Sequence, residues 1–206
     1  MVLAMSTWFA AAAVLTELRA EFGLSRTQGS WLTISVQLGF VLGAMASAVA
    51  NLADLVPPRR LMLAGSVVAA TANLTLLFAG SYPAAVAGRA LTGAGLALVY
   101  PPALKAIATW YRQRRGFALG VMVGALTLGS ATPHLVSATT TFPWEATIIA
   151  TSVATVVGGV LAEFGARDGP YPFAGAPFDR RRILVVVRTR ELRLATIGYF
   201  GHMWEL

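Results

Sequence analysis

Apolar residues in this chain occur in long runs that are separated by short polar connections. A helix rises 1.5 Å per residue, so about 20 apolar residues are needed to cross the roughly 30 Å hydrocarbon core of a membrane. Five runs reach that length, and a shorter run lies at each end of the chain. The pattern predicts an all-α membrane protein whose complete spans cover residues 31–53, 61–80, 83–104, 116–137 and 143–164.

The two terminal runs are too short to be complete spans. Residues 1–16 are apolar up to Glu17, and we interpret them as a first span that lacks its N-terminal turns. A secretory signal peptide is the alternative, because residues 10–13 offer small side chains for cleavage, but no Lys or Arg precedes the run. Residues 192–206 form a helix of only about 22 Å. We therefore expect them to be the truncated start of a seventh span.

Three regions follow from this pattern. Residues 1–164 are predicted to form a six-transmembrane-helix bundle, residues 165–191 a basic linker, and residues 192–206 the start of the seventh span. The linker contains three prolines and the run Arg180-Arg181-Arg182. Its basic part is either an amphipathic segment on an anionic membrane surface or a simple positive anchor at the cytoplasmic side.

Composition and charge agree with a membrane protein. Hydrophobic residues make up 56% of the chain and charged residues 12%, with a mean hydropathy of +0.67, whereas soluble proteins have about 25% charged residues. The net charge of +7 therefore indicates orientation in a lipid bilayer rather than nucleic-acid binding. Of the 16 basic residues, twelve lie in alternate connections and two in the opposite ones. The positive-inside rule predicts that the twelve face the cytoplasm.

The sequence offers no pattern for catalysis or for a bound cofactor. It has no cysteine, and its two histidines, His134 and His202, lie far apart, so a thiolate or histidine-rich metal site is not expected. No glycine-rich phosphate loop and no Ser/His/Asp set is present. We expect neither an enzyme nor a carrier driven by ATP.

The connection between the second and third spans reads Leu52-Ala53-Asp54 and ends in Arg59-Arg60. An acid beside a basic pair at helix ends lets half-buried charges pair in one conformation and separate in another. This loop resembles the signature between the second and third spans of the major facilitator superfamily, except that Ala50 and Pro57 stand where that signature has glycines. The resemblance implies that Asp54, Arg59 and Arg60 form a conformational motif.

The fourth span contains Arg89, Gly93 and Gly95, in a pattern that resembles the Arg-x-x-x-Gly-x-Gly of the same superfamily. A guanidinium inside a span costs at least about 2.5–3.5 kcal/mol, so Arg89 should face a cavity or a partner. It is our first candidate for substrate contact or proton coupling. The alternative is that Arg89, only six residues beyond Pro83, reaches out to the membrane interface. The two glycines are expected to let neighbouring helices approach closely.

In the fifth span, Gly116, Gly120 and Gly124 recur at four-residue spacing and share one helix face. Such a stripe predicts a surface for helix packing. It also resembles the glycine-rich fifth span of the superfamily, which packs between the two halves of those carriers.

The remaining candidates for substrate contact are polar residues within spans. In the first two spans these are Ser6, Thr7, Trp8, Gln37 and, at the span edge, Glu17. For Gln37, which lies in mid-span, a hydrogen bond between packed helices is the alternative. In the last segment, Tyr199, His202 and Glu205 recur every three residues and so share a helix face. That segment resembles the seventh-span start of a bacterial, cyanate-permease-like branch of the superfamily.

Together these resemblances imply the N-terminal half of a twelve-helix secondary transporter in the bacterial inner membrane. Such a carrier binds a small molecule or ion between two six-helix halves and moves it by alternating access. The expected partners are the lipid bilayer, that substrate and the missing C-terminal half. A non-transporting membrane anchor or assembly protein, and a half-size transporter that dimerises, remain open alternatives.

Overall fold

The computed structural model describes the backbone of residues 1–139, 143–171 and 188–205 and the side chains of residues 1–135, 143–171 and 188–198. Within these residues the regular secondary structure is helical. The chain divides into two units, Met1–Ala174 and Gly175–Leu206.

Nine described α-helices belong to the first unit and one to the second. They are α1 (Val2–Ala13), α2 (Leu15–Glu21), α3 (Arg26–Val49), α4 (Leu52–Leu55), α5 (Pro58–Leu74), α6 (Tyr82–Leu96), α7 (Tyr100–Ala108), α8 (Arg115–Thr139), α9 (Trp144–Gly165) and α10 (Arg190–Glu205). A short 3-10 helix, Thr75–Phe78, continues the third span after α5.

Five helical segments are long and apolar enough to cross a membrane: 26–49, 58–78, 82–108, 115–135 and 144–165. They coincide with the five complete spans predicted from the sequence. The helices α1 and α2 add a sixth span if they are counted together, with a bend of 48° between them. Because α2 continues to Glu21, the first span extends further than its apolar run, which ends at Thr16.

The ends of two spans show how local sequence shapes them. The helix α3 begins at a capping box, in which the Ser25 hydroxyl accepts from the Gln28 backbone and the Gln28 side chain accepts from the Ser25 backbone. The fourth span consists of α6 and α7, which are separated at residues 97–99. Pro101 and Pro102 start the second of these helices, because a proline is tolerated in a first helical turn, where the backbone N–H needs no partner.

The bundle is held by close approach of small residues. The most extensive contacts join α3 to α6 and α5 to α9, while α1 packs against both α8 and α9. A Cβ atom at Gly39 of α3 would overlap the carbonyl oxygen of Ala90, and one at Gly93 of α6 would overlap that of Val36. The second and fourth spans therefore touch backbone to backbone, which side chains at these two positions would prevent.

We use the name basic end for the end of the bundle that carries the connections rich in Arg. There the chain after α9 folds back onto the end of α7: the Gly169 N–H donates to the Thr109 hydroxyl at 2.8 Å, and the Tyr171 N–H donates to the Thr109 carbonyl at 3.0 Å. The Trp110 indole also donates to the Arg167 carbonyl at 2.9 Å. The first residues of the predicted linker are thus docked on the bundle.

The second unit contains α10, which begins two residues before the start predicted for the seventh span. Its 16 residues make a helix of about 24 Å, still short of a full membrane crossing.

Candidate functional site

The interior of the first unit contains one charged side chain that is almost completely buried. Arg89 of α6 is 1% exposed. Its guanidinium donates to the Thr7 carbonyl at 3.1 Å and the Trp8 carbonyl at 2.8 Å, and more weakly to the Leu32 carbonyl at 3.5 Å. It also donates to the Asn73 side-chain oxygen at 2.7 Å. One side chain of the fourth span thereby connects the first, second and third spans.

Asn73 of α5 extends this network to the sixth span. Its oxygen accepts from Arg89, which leaves the amide nitrogen to donate. That nitrogen donates to the Ser152 hydroxyl at 3.0 Å, and to the Ile148 carbonyl and the Thr151 hydroxyl at 3.3 and 3.4 Å. Asn73 is fully buried. A single amide thus links the Arg89 guanidinium to α9.

The partners of Arg89 are oxygens of neutral groups. Three are backbone carbonyls and one is an amide, and together they give the guanidinium four hydrogen bonds. Charge-assisted hydrogen bonds to such oxygens stabilise a cation that has left water, and they do so without an acidic partner. These hydrogen bonds therefore offset the free-energy cost of placing a charge inside a span.

This placement bears on both expectations for Arg89. The guanidinium lies in the interior of the bundle and not on its surface. It does meet a partner, as the cost of burial requires, but that partner is the protein itself. In this conformation, Arg89 is a cross-link between spans, and its charge is not presented to a solute.

Asn73, Thr151 and Ser152 were not singled out from the sequence. A signal was present, since α9 carries Thr147, Thr151 and Thr155 at four-residue spacing in an otherwise apolar helix. Such a stripe places hydroxyls along one face. Nothing in the spacing identifies which residue of another span they meet.

At the basic end, Asp54 and Arg59 of the predicted conformational motif pair with residues of other spans. Asp54 of α4 forms an ion pair with Lys105 of α7, whose ammonium also donates to the Ala53 carbonyl at 2.6 Å. Arg59 lies 3.9 Å from Glu163 of α9, and Arg60 is exposed. The motif thus ties the connection between the second and third spans to the ends of the fourth and sixth.

The predicted packing glycines fall into two groups. A Cβ at Gly95 would lie 2.6 Å from the Ala69 backbone nitrogen, and Gly93 is equally confined. A Cβ at Gly116, Gly120 or Gly124 would meet nothing within 4 Å. Within the first unit, the stripe in the fifth span therefore does not pack closely against another described helix, and the packing prediction for it stays a prediction.

The other candidates differ in how much the structure says about them. Gln37 is exposed in the middle of α3, on a part of the helix that no other span covers. Tyr199, His202 and Glu205 lie on the backbone of α10, but their side chains are outside the described residues.

Comparisons with known proteins identify the family. The model of the family described as "Major Facilitator Superfamily" matches residues 1–203. A stretch of 109 residues, 52% of the chain, is 34% identical to the "MFS-type transporter pynF" of Aspergillus niger, of which it covers 24%.

Two further relatives match over a similar length. A stretch of 106 residues, 51% of this chain, is 28% identical to the "Fujikurins efflux protein" of Gibberella fujikuroi and covers 22% of it. A stretch of 108 residues, 52% of this chain, is 30% identical to an "MFS-type transporter" of Gibberella moniliformis and covers 25% of it. The matched part of the chain thus spans about a quarter of these curated relatives. Because the family model matches almost the whole chain, and because the described helices include five to six apolar spans, this chain belongs to the Major Facilitator Superfamily and is a multi-pass membrane protein.

Proposed function

We propose that this chain forms the N-terminal six-helix half of a secondary carrier, which moves a small solute across the membrane by alternating access together with a second half. Family membership supports transport, as do the printed names of the fungal relatives. The observation that carries the proposal is the open glycine stripe on α8, whose three positions meet nothing within 4 Å. A smooth helix face of this kind favours a second helix as its partner.

Gln37 supports the same arrangement from the second span. Its amide is exposed in mid-span, and an amide without water or a polar partner is unfavourable in hydrocarbon. The side of α3 that carries Gln37 is therefore better suited to a water-filled cavity between two halves than to lipid. We keep Gln37 as a substrate candidate, and we keep Tyr199, His202 and Glu205 as candidates for substrate contact or proton coupling.

The chain contains no cysteine, so single-cysteine variants test this arrangement cleanly. We expect Gln37→Cys, in chain reconstituted in vesicles with a complementary half, to react with a charged membrane-impermeant maleimide. Leu42→Cys is the matched control, because Leu42 is 66% exposed on the same helix but points about 140° away from Gln37. Equal protection of both cysteines from the reagent would contradict a water-filled cavity at Gln37.

Orientation in the membrane is part of the proposal. The basic end faces the cytoplasm, because the opposite orientation would move twelve basic residues across the bilayer. Cysteines introduced at Ser81 and Thr140 should react from outside, while those at Gln113 and Ala174 should not. The reverse pattern would show an inverted topology.

The identity of the membrane and of the family branch stays a prediction. The sequence suggests a bacterial inner membrane and a cyanate-permease-like branch, whereas the three relatives described above are fungal.

Two alternatives to a carrier half make different predictions about assembly. A half-size transporter would form dimers of this chain, and an anchor or assembly protein would bind neither a second copy nor a second half. Native mass measurement in nanodiscs distinguishes them when the chain is prepared alone and together with the second half of the Aspergillus niger relative. A one-to-one complex with that half supports the proposal, and a stable homodimer contradicts it.

A further inference from the structure

Three aromatic rings from three spans meet beside the Arg89 network. Trp8 of α1 and Phe40 of α3 form an edge-to-face pair with ring centroids 5.0 Å apart. Tyr100, at the start of α7, lies 6.4 Å from Phe40. All three side chains are half-buried, so part of each is accessible. We name this surface, Trp8, Phe40 and Tyr100, the aromatic wall.

The surroundings of the aromatic wall are apolar as well. Met5 of α1 and Leu126 of α8 belong to the hydrophobic cluster that includes Trp8 and Phe40. Ala69 of α5 belongs to the same cluster, so the first five spans all contribute to the wall and its immediate surroundings.

A small open cleft continues the wall towards the basic end. It has a volume of about 130 Å³ and is lined mostly by small apolar residues, among them Ala44, Ala48, Ala97 and Pro101. Phe40, Ala44 and Ala48 recur at four-residue spacing, so the cleft and the wall share one face of α3. That face also carries Gln37, since positions 37, 44 and 48 lie within about 40° of one another around the helix. The polar side chains that line the cleft are those of Ser47 and Asn51.

The charge of Arg89, beside the aromatic wall, is turned away from the wall. Arg89 donates to the backbone carbonyl of Trp8, and its other hydrogen bonds also go to oxygens of the protein. Arg89 is 1% exposed, so it contacts the Trp8 backbone from the buried side and not from the accessible side of the ring. None of the side chains of the wall and cleft named above is ionised, and the Lys105 ammonium, which donates to the carbonyl of the lining residue Ala53, is already paired with Asp54. A charged solute on this surface would lose its hydration and gain no ion partner.

We propose that the aromatic wall binds an uncharged organic solute that contains a planar ring, packed edge-to-face against Trp8 and Phe40. This inference rests on the proposed carrier function, since the aromatic wall would lie on the side of the bundle that faces the second half. Arg89 considered by itself would instead suggest a planar anion as the solute. An aromatic ring suits the site because offset and edge-to-face arrangements are the geometries that aromatic pairs prefer.

Two photoreactive probes with the same ring test the solute class. One is trifluoromethyl-diazirinyl benzyl alcohol, which is neutral, and the other is the corresponding benzoate, which is anionic. The 206-residue chain in nanodiscs is labelled over a range of concentrations, and the modified residues are mapped by mass spectrometry. We expect saturable labelling of the aromatic wall by the alcohol, at least fivefold above that by the benzoate at equal concentration.

The matched variants are Phe40→Leu and Phe78→Leu. Both remove one ring and keep an apolar side chain, but Phe78 is 84% exposed, away from the wall. Phe40→Leu should reduce the saturable labelling at least fivefold, and Phe78→Leu should leave it unchanged. Trp8→Leu gives the same test on a different span, and the melting temperature shows whether each variant is folded.

Two results would overturn the proposed solute class. The first is non-saturable labelling that is as strong at Phe78 as at the wall, since this reports partition into lipid only. The second is stronger saturable labelling by the benzoate that is lost in Arg89→Gln, which would show an anion site. Labelling needs no second half, so its outcome is independent of Gln37→Cys accessibility. Saturable labelling of the wall together with an unreactive Gln37→Cys would reject the carrier cavity. A reactive Gln37→Cys without saturable labelling of the wall would reject only the solute class.

Discussion

The fourth and fifth spans both carry spaced glycines, but their surroundings are opposite. In α6, a Cβ at Gly93 would overlap the Val36 carbonyl oxygen, and Gly95 is pressed against the backbone of Ala69. In α8, Gly116, Gly120 and Gly124 face open space. The neighbouring Phe117 and Val121 are exposed as well, at 73% and 58%.

Glycine spacing therefore defines the shape of a helix surface but not which helix packs against it. Both spans present a smooth face, which permits close packing. The face of α6 meets other helices of this chain, so its glycines contribute to the fold. The glycine face of α8 meets no other described helix of the first unit, so its glycines do not contribute to the packing of that unit.

The largest effect should follow from a side chain in the closed contact. Gly93→Leu would place atoms inside the α3 backbone, so we expect the free energy of unfolding to fall by more than about 4 kcal/mol and little folded chain to be recovered. Thermal unfolding in detergent, followed by size-exclusion profile, measures it. Gly124→Leu in the same chain is the control and should unfold within about 0.5 kcal/mol of wild type. Similar losses in both variants would contradict the contrast between the two faces.

The polar network in the closed region should have the next largest effect. Arg89→Leu leaves Asn73 and the carbonyls of Thr7 and Trp8 without their donor, so we expect a loss of about 3 kcal/mol in unfolding free energy. Asn73→Leu should cost a similar amount. If the two residues act through one network, the double variant should lose clearly less than the sum of the single variants. A strictly additive double variant would show that they act independently.

An intermediate effect is expected at the open face when a second half is present. Gly120→Leu fills the stripe, so we expect it to weaken association with the second half of the Aspergillus niger relative by about tenfold, or about 1.4 kcal/mol. Native mass titration in nanodiscs measures this. Val153→Leu is the control, because Val153 is 57% exposed on another span. An unchanged affinity in Gly120→Leu would remove the stripe from the proposed interface.

The smallest effect is expected at the basic end, where the charges are partly exposed. Lys105→Gln removes the ion pair with Asp54 but keeps a hydrogen-bond donor, so we expect a loss of at most about 1 kcal/mol, diminished further by salt. Unfolding at low and high ionic strength measures it. A loss comparable with that of Arg89→Leu would show that this pair, and not the buried network, holds the bundle together.

The amino-acid sequence predicted the spans well, because the requirement for each is local. A helix must be apolar over about 20 residues to cross a membrane, and that requirement can be read from consecutive positions. The five complete spans coincide with described helices within a few residues. The extension of the first span to Glu21 was not predicted, because its last turn is polar.

The partners of each polar residue were decided by tertiary structure. Arg89 is linked to Thr7, Trp8 and Asn73, which lie 82, 81 and 16 positions away in the chain. Lys105 is likewise 51 positions from Asp54. The free-energy cost of a buried charge showed that Arg89 needs a partner. An acid, an anion or a set of carbonyls would each offset that cost, so the cost alone does not identify the partner. Only the packing of the helices brings one of these within hydrogen-bond distance, and the same packing brings Phe40 and Tyr100 beside Trp8.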